Sequence, residues 1–230
     1  MSSMSSFNTA PNGQATTNGH HHDEEMTALH AFIAEQRRPP SGPSLPPQNQ
    51  SSSSDYNNLA LQVAHNLRFQ HGWSDIRVHY RASGPTARAL PRPFIAGLPP
   101  NRLYVHPDEQ IEALNKQRSE GKAGWPEMDA EREWVLPTHL RETWTLRRFA
   151  EVFDALSTVP SADDGGALFS DADRMAVDGE ESNGHRTKAS QTPNRWRATQ
   201  PKRLLLATVE DDSTVVYYIV HDGIVKPRQN

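Results

Sequence analysis

The sequence predicts a mixed α/β (α+β) domain, with helices early in the chain and a β-hairpin at its end. Apolar residues make up only 35% of the 230 residues, against about 45–50% in an ordinary globular chain, so part of the chain is not expected to pack. Sustained apolar patterns occupy residues 55–157 and 201–230, which together suffice for one core. In the second region the pattern is that of two strands joined by a turn.

The first elements are a helix and a strand. Asp55 is a candidate N-cap and Gly72 a candidate stop. The apolar stripe between them consists of Leu59, Val63 and Leu67. Residues 73–81 then alternate with period two, which predicts a half-buried strand. Its inward residues are expected to be Ile76, Val78 and Tyr80, opposite Asp75, Arg77, His79 and Arg81.

Prolines and acids define the middle of the chain. The proline-rich stretch 82–100 predicts a loop, and residues 103–105 predict a short strand. The sequence at Pro107, with two acids directly after it, predicts a helix start, with Ile111 and Leu114 on the inner face.

A further strand and helix precede the second apolar region. Residues 133–136 predict a strand that ends at Pro137, and Thr143 or Thr145 is expected to cap the next helix. The spacing of its apolar residues is that of an amphipathic helix. The inward set is expected to be Leu146, Phe149, Val152, Phe153 and Leu156.

Residues 203–210 and 214–221 predict the two strands of a hairpin, with a polar turn between them. Both runs are almost continuously apolar or aromatic. Strands of this kind are usually covered on both faces, by the protein's own core or by a partner.

Two segments lack a core-forming pattern. Residues 1–54 are predicted to be a disordered tail, in which the helical spacing at 26–33 indicates either a docking segment or more tail. The domain itself spans 55–230 and is interrupted by a disordered insertion at about 158–200. Within that insertion, residues 158–185 carry seven acids and one arginine, so it cannot bury enough apolar area to order itself.

Composition excludes several classes of protein. The absence of cysteine excludes disulfides, thiol catalysis and cysteine-ligated metal sites. No apolar run approaches the roughly 18–20 residues of a membrane helix, and no charged-then-apolar leader is present, so we expect neither a membrane span nor a signal peptide. No glycine-rich phosphate loop or zinc-protease motif is present, and we expect no cofactor and no metal.

A basic stretch at 186–203 is free of acids and is a candidate contact for RNA, because cations neutralise phosphates and an aromatic ring can stack on a base. The candidate residues are Arg195, Trp196, Arg197, Lys202 and Arg203. From composition alone, a solubilising end of the insertion is the favoured interpretation of this stretch, and a nuclear-import signal is a further, less favoured alternative.

The segment 201–218, Pro-Lys-Arg-Leu-Leu-Leu-Ala-Thr-Val-Glu-Asp-Asp-Ser-Thr-Val-Val-Tyr-Tyr, resembles the tRNA-splicing endonuclease family, and most closely its small non-catalytic subunit. The run 134–137 and the helix through Trp144, Phe149 and Phe153 are also similar to that subunit. The resemblance implies a nuclease-like α/β domain within a complex of four related subunits, two of which cut precursor tRNA and two of which organise the assembly. It also implies metal-independent cleavage that leaves 2′,3′-cyclic phosphate and 5′-OH ends.

The chain departs from the family's catalytic Tyr–His–Lys set. Lys202 stands at roughly the place of the lysine, but the ordered His-Ser segment that should precede it is replaced by the acidic insertion. A lone lysine cannot transfer protons at both reacting oxygens. We therefore assign no catalytic residue and expect the chain to have no activity by itself.

The resemblance also implies two subunit contacts. The last strand is expected to pair with a strand of a catalytic subunit through Val215, Tyr217, Tyr218 and Ile219. The acidic turn is expected to insert into a basic cleft of the opposite pair, although from composition alone a solvated turn is favoured. The turn residues are Glu210, Asp211 and Asp212.

Two hypotheses follow. The preferred one is a structural subunit whose partners are the catalytic and structural subunits and, through them, precursor tRNA. The alternative is a free-standing RNA-binding module that uses residues 186–203, and a self-sufficient nuclease is a third, less favoured possibility. We expect a nuclear location, with the cytoplasmic face of mitochondria as the alternative.

Overall fold

The computed structural model describes residues 27–36, 50–82, 88–126, 128–169 and 195–223. This part of the chain forms a six-stranded sheet with helices on both faces, which confirms the predicted mixed class. The helices are α1 Ala28–Gln36, α2 Gln50–Phe69, α3 Pro107–Ser119, α4 Leu146–Ala155 and α5 Arg195–Thr199. The strands are β1 Ser74–Arg81, β2 Ala89–Leu98, β3 Glu133–His139, β4 Gly166–Ala167, β5 Arg203–Val209 and β6 Val215–His221.

The strand order across the sheet is β4-β1-β2-β3-β5-β6. The β3–β5 pair is parallel and every other pair is antiparallel. Helix α2 packs on one face, and α4 contributes to the apolar cluster on the other. Successive residues of a strand point to opposite faces, and Trp134 and Val135 of β3 belong to the two different apolar clusters. Both faces of the central strands are therefore buried. This explains why the strands are almost continuously apolar.

Several local signals are confirmed. Thr145 caps α4, because its Oγ1 accepts a hydrogen bond from the Arg148 N–H at 3.2 Å. Pro107 occupies the first turn of α3, whose N-cap is His106. Gly72 follows α2 with φ +65°, as a stop residue does, whereas the helix starts at Gln50 rather than after Asp55.

The prediction of a loop at 82–100 is wrong, because β2 occupies Ala89–Leu98 and includes Pro91 and Pro93. A proline cannot donate to a sheet ladder. Here both prolines lie between the paired residues Ala89 and Phe94, where the register with β1 shifts. The β2–β3 pairs begin only at Ile95, and the register between β1 and β2 is irregular over the stretch that contains them.

Proline also fails to end β3 at the predicted position. The strand continues to His139, because Pro137 pairs with Ala207 of β5, on the opposite side from β2. The β2 ladder has already ended at Val135, so the missing N–H of Pro137 removes no bond there.

Some inward and outward assignments are wrong as well. His79 is buried and Tyr80 is half-exposed. Part of each face of β1 is buried, so the alternation of polar and apolar residues along the strand does not separate buried from exposed side chains. Leu146 is 89% exposed, since the core contacts of α4 begin one turn later at Phe149. Ile111 of α3 is exposed, and residues 103–105 form no strand.

Ordered elements lie inside both segments that were predicted to be disordered. Helix α1 contacts the domain through Phe32, whose ring stacks on Phe169 at 5.0 Å between centroids. Leu168 is buried, and the short strand β4 pairs with β1. Their remaining residues, 1–26, 37–49 and 170–194, lie outside the described part, and their disorder stays a prediction. None of the helices in that described part is long and apolar enough to cross a membrane.

Candidate subunit interface

Strand β6 forms one edge of the sheet. It pairs with β5 over seven residues without a register shift, from Val209 opposite Val215 to Arg203 opposite His221. No second strand flanks it within the described residues. The strand contains no proline, lysine or bulge, which are the usual devices that prevent a sheet edge from pairing with another chain.

The two tyrosines of β6 have different environments. Tyr217 packs against the α2 side of the core, and its hydroxyl donates to the Asn66 Oδ1 at 2.6 Å. Burial raises the pKa of Tyr217 above its ordinary value. Tyr218 points to the other face and is 57% exposed. The sequence left open which tyrosine faces a partner, and Tyr218 is the one whose ring is accessible.

Apolar side chains are exposed on both sides of this edge. Val216 and Tyr218 lie on the α4 face and Ile219 lies on the α2 face, and all three are exposed. Val215 is half-buried against the core. Of the four strand residues assigned to an interface from the sequence, Val215 and Tyr217 therefore hold β6 onto its own domain, whereas Tyr218 and Ile219 are available to another chain.

The acidic turn between β5 and β6 is shaped by its own hydrogen bonds. The Glu210 N–H donates to the Thr214 carbonyl oxygen at 2.9 Å, and Asp212 Oδ1 accepts from the Thr214 N–H at 2.8 Å. This backbone hydrogen bond lowers the pKa of Asp212. Ser213 takes the left-handed conformation, φ +70°, that closes the turn.

Asp211 attaches the turn to the end of β3. Its carboxylate forms an ion pair with Arg141 and lies 3.1 Å from His139 Nε2. All three acids of the turn are exposed. Asp211 and Asp212 are thus partly engaged within the chain, and Glu210 extends from the turn without an ion pair in the described part of the structure.

Two of the residues that the sequence assigned to a possible RNA contact are buried in this structure. Arg197 is 2% exposed and Arg203 is 4% exposed. Both guanidinium groups are paired with Glu133, at 3.1 Å from Arg197 and at 3.1 and 3.2 Å from the Arg203 Nε. A phosphate cannot reach them while those pairs persist.

The other three residues of the candidate RNA contact are also engaged within the chain. Lys202 Nζ donates to the Phe153 carbonyl oxygen at 2.7 Å. Arg195 is exposed but paired with Glu112, and the Trp196 ring is stacked on His106 at 5.6 Å. The described part of the stretch, residues 195–203, therefore offers little unpaired positive charge to RNA.

These buried pairs belong to a larger network that sequence reasoning missed. Arg102 pairs with Glu109 at 2.7 Å and also with Glu131, and Arg203 bridges Glu131 and Glu133. Burial lowers the pKa of Arg197, and the charge of Glu133 opposes that effect. The network connects α3, β3, α5 and β5. The signal in the sequence was the pair of acids at alternate positions around the start of β3, Glu131 and Glu133. Their arginine partners could not be identified from it, because they are distant along the chain.

Comparison with known proteins gives consistent results. The family described as "Sen15 protein" matches residues 62–167 and 183–230. A Neurospora crassa protein named "Probable tRNA-splicing endonuclease subunit tsp-1" is 42% identical over 185 residues, which cover 79% of this chain and 70% of that protein. A Schizosaccharomyces pombe protein named "Probable tRNA-splicing endonuclease subunit sen15" is 23% identical over 175 residues, 76% of this chain and 85% of that protein.

Proposed function

Since the chain belongs to the Sen15 protein family, we propose that it is a non-catalytic structural subunit of a tRNA-splicing endonuclease complex. The proposed complex removes introns from precursor tRNA and leaves 2′,3′-cyclic phosphate and 5′-OH ends, with the cleavage performed by other subunits. The names of both relatives support membership of such a complex. The observation that carries the structural role is the unprotected apolar edge of β6.

Strand addition is the proposed mode of assembly. A strand of a catalytic subunit would continue the sheet at β6, satisfy its free backbone groups and cover Val216, Tyr218 and Ile219. The backbone pairing supplies affinity, and the side-chain pockets supply specificity. Tyr217 supports this contact indirectly, because its hydrogen bond to Asn66 holds the strand against α2.

The environment of Lys202 supports the absence of catalysis by this chain. Lys202 stands at roughly the place of the family's catalytic lysine, and its ammonium group is half-buried and donates to a carbonyl oxygen of α4. An ammonium group held in this way serves to fix β5 to α4. We propose that the metal-independent chemistry belongs to the partner subunits.

The acidic turn is the proposed second contact, which joins two strand-paired dimers. Exposed carboxylates favour a basic surface, and such contacts accelerate encounter and weaken with salt. Glu210 is the most available of the three acids, because Asp211 is paired with Arg141.

The complex is proposed to act in the nucleus, or otherwise at the cytoplasmic face of mitochondria, and fractionation of tagged cells distinguishes these locations.

Substitution of an exposed apolar residue on β6 tests the assembly. We expect Ile219→Asp to abolish association, because a carboxylate would be buried without a partner at the new strand pair. Ile111→Asp is the matched control, since Ile111 is also an exposed isoleucine but lies on α3. The tagged chain is purified from its own organism, and the purified fraction is assayed for cleavage of an intron-containing precursor tRNA. Cleavage that co-purifies equally with Ile219→Asp would place the interface elsewhere.

The alternative of a free-standing RNA-binding module is disfavoured by the buried arginines of the basic stretch. It predicts that the purified full chain is a monomer that binds RNA tightly by itself. Sedimentation and RNA-binding measurements on the isolated chain distinguish it from the proposed structural subunit.

A further inference from the structure

The sheet has a second edge, on the side opposite β6, where β4 flanks β1. Strand β4 has only two residues, and they pair with Arg77 and Val78 of β1. One further bond follows, because the Leu168 N–H donates to the Ile76 carbonyl oxygen at 3.1 Å. Since strands usually have about three to ten residues, a strand this short needs other contacts to keep its place.

The part of β1 that β4 covers is the part best suited to pair with another chain. The register between β1 and β2 shifts near both ends of β1, and only residues 77–79 pair without a shift. Asp75 has φ +46°, a left-handed conformation that is foreign to a strand. Bulges and irregular backbone protect an edge from pairing with another chain. Residues 77–79 lack that protection, and β4 supplies the cover instead.

Apolar side chains hold the chain in place directly after β4. We call residues 163–169, which contain β4, the edge strap. Leu168 is 7% exposed and belongs to the same apolar cluster as Ile76 and Val78. Phe169 packs against that cluster as well. Detachment of the edge strap would therefore expose apolar surface together with the backbone groups of β1.

Helix α1 packs on the end of the edge strap. The Phe32 ring stacks on the Phe169 ring, with 5.0 Å between the centroids and 5° between the planes. Phe69 of α2 meets Phe169 edge-on at 5.8 Å. Gln36 Nε2 also donates to the Leu168 carbonyl oxygen at 3.5 Å. The end of the edge strap is thus held between α1 and α2.

The middle of the edge strap lies on the buried ring of His79. Gly165 has φ +85°, and a Cβ atom at this position would lie 2.8 Å from the imidazole ring. Both the conformation and the space therefore require glycine here. The Nε2 atom of His79 is buried without a hydrogen-bond partner in the described structure. An unpaired buried nitrogen costs free energy, which lowers the stability of the closed edge strap.

We infer that the edge strap, held in place by α1, closes the β1 edge of the sheet, so that another strand can be added only at β6. The inference goes beyond the proposed function, because it concerns the edge that stays closed rather than the partner that binds. A sheet that offers two edges can join chains into an open-ended array, whereas a single open edge limits the assembly to a finite size.

Two neighbouring glycines provide a matched pair of variants in the full chain. Gly165→Ala should open the edge strap, because the added methyl group meets the His79 ring and the backbone is left-handed. Gly166→Ala is the control, since it adds the same methyl group at an ordinary contact distance, 3.7 Å from Val78.

A second pair of variants tests the contact with α1. Phe32→Asp should open the edge strap from its other end, because the stacked ring is lost and a carboxylate is placed against an apolar cluster. Ala34→Asp is the control, since it adds the same charge at an exposed position of the same helix.

Hydrogen exchange of the full chain measures the opening. Both test variants should increase the exchange rates of residues 74–81 and 163–169 by about fivefold or more, whereas residues 203–221 should keep their wild-type rates. Both controls should resemble the wild type. Sedimentation then measures self-association in chains that also carry Ile219→Asp, which disables pairing at β6. The test variants should associate as concentration rises, and the controls should behave as the Ile219→Asp chain does.

Every other outcome overturns the inference. Unchanged exchange in residues 74–81 would show that neither α1 nor Gly165 keeps the edge closed. Faster exchange without new association would show that the opened edge does not pair. Equal loss of protection in residues 203–221 would show that the edge strap is part of the global core rather than a local closure. None of these measurements uses another subunit or tRNA, so their failure would leave the proposed function standing.

Discussion

Removal of the negative charge of Glu133 should lower the stability of the domain. Its carboxylate lies at the centre of the buried network and pairs with Arg197 and Arg203. Glu133→Gln preserves the volume of the side chain but removes the negative charge. Arg203 would keep Glu131 at 3.1 Å, whereas Arg197 would lose its carboxylate partner. The Arg197 Nε and Nη1 atoms already lack hydrogen-bond partners in the described structure.

The expected cost is large, because the remaining charge is almost completely buried. Breaking a buried ion pair by removal of one partner costs about 3–5 kcal/mol. For a domain of this size, that corresponds to a fall in the melting temperature of about 6–20 °C. An exposed pair contributes only about 0–1 kcal/mol. Glu112→Gln is therefore the matched control, since Glu112 pairs with exposed Arg195 of the same helix α5.

Urea and thermal unfolding of the full chain would measure both variants. A double-mutant cycle with Arg197→Met sharpens the test, because removal of both partners should cost less than the sum of the single losses. A loss for Glu133→Gln as small as that for Glu112→Gln would refute the reasoning. Additive losses in the cycle would show that Arg197 does not depend on Glu133.

Two further predictions concern the acidic turn and pH. Changing Asp211 and Asp212 together to Lys should leave the strand-paired dimer intact. It should block formation of the tetramer, and with it intron excision, because a positively charged turn would repel a basic cleft. Full tetramers in native mass measurements at physiological salt would contradict this prediction. Burial lowers the pKa of His79, with Asp164 opposing and Arg77 reinforcing that effect. Because the unfolded chain then takes up the proton first, the free energy of unfolding should fall as pH drops below about 6.5, by up to about 1.4 kcal/mol per pH unit. When urea unfolding is measured between pH 7.5 and 5.5, the free energy of unfolding of His79→Asn should depend less steeply on pH than that of the wild type. An unchanged slope would show that His79 does not cause the pH dependence.

Elements with signals confined to a few neighbouring residues were predictable. The Thr145 cap of α4 and the start of α3 at Pro107 depend on groups within one helical turn. The β5–β6 hairpin depends on a short polar turn between two apolar runs. Such contacts form between residues close in sequence, so the sequence pattern already contains both partners.

Strand β2 was not predictable, because the rule that proline interrupts a sheet applies only where a ladder bond would form. Pro91 and Pro93 lie outside the pairs with β3 and within an irregular register with β1. That arrangement is a property of the assembled sheet. The burial of His79 has the same origin, since Trp134 of β3 packs against its ring at 4.8 Å.

The candidate site divides in the same way. The sequence alone determined that residues 203–221 form a hairpin with an acidic turn and an apolar last strand, because these features are local. Only the tertiary structure decided that Tyr218 is exposed and that Arg197 and Arg203 are buried. Their common partner, Glu133, lies 64 and 70 positions away along the chain. A pairing over that distance exists only once the strand order has placed β3 beside β5, which brings opposite charges together in a space that water cannot enter.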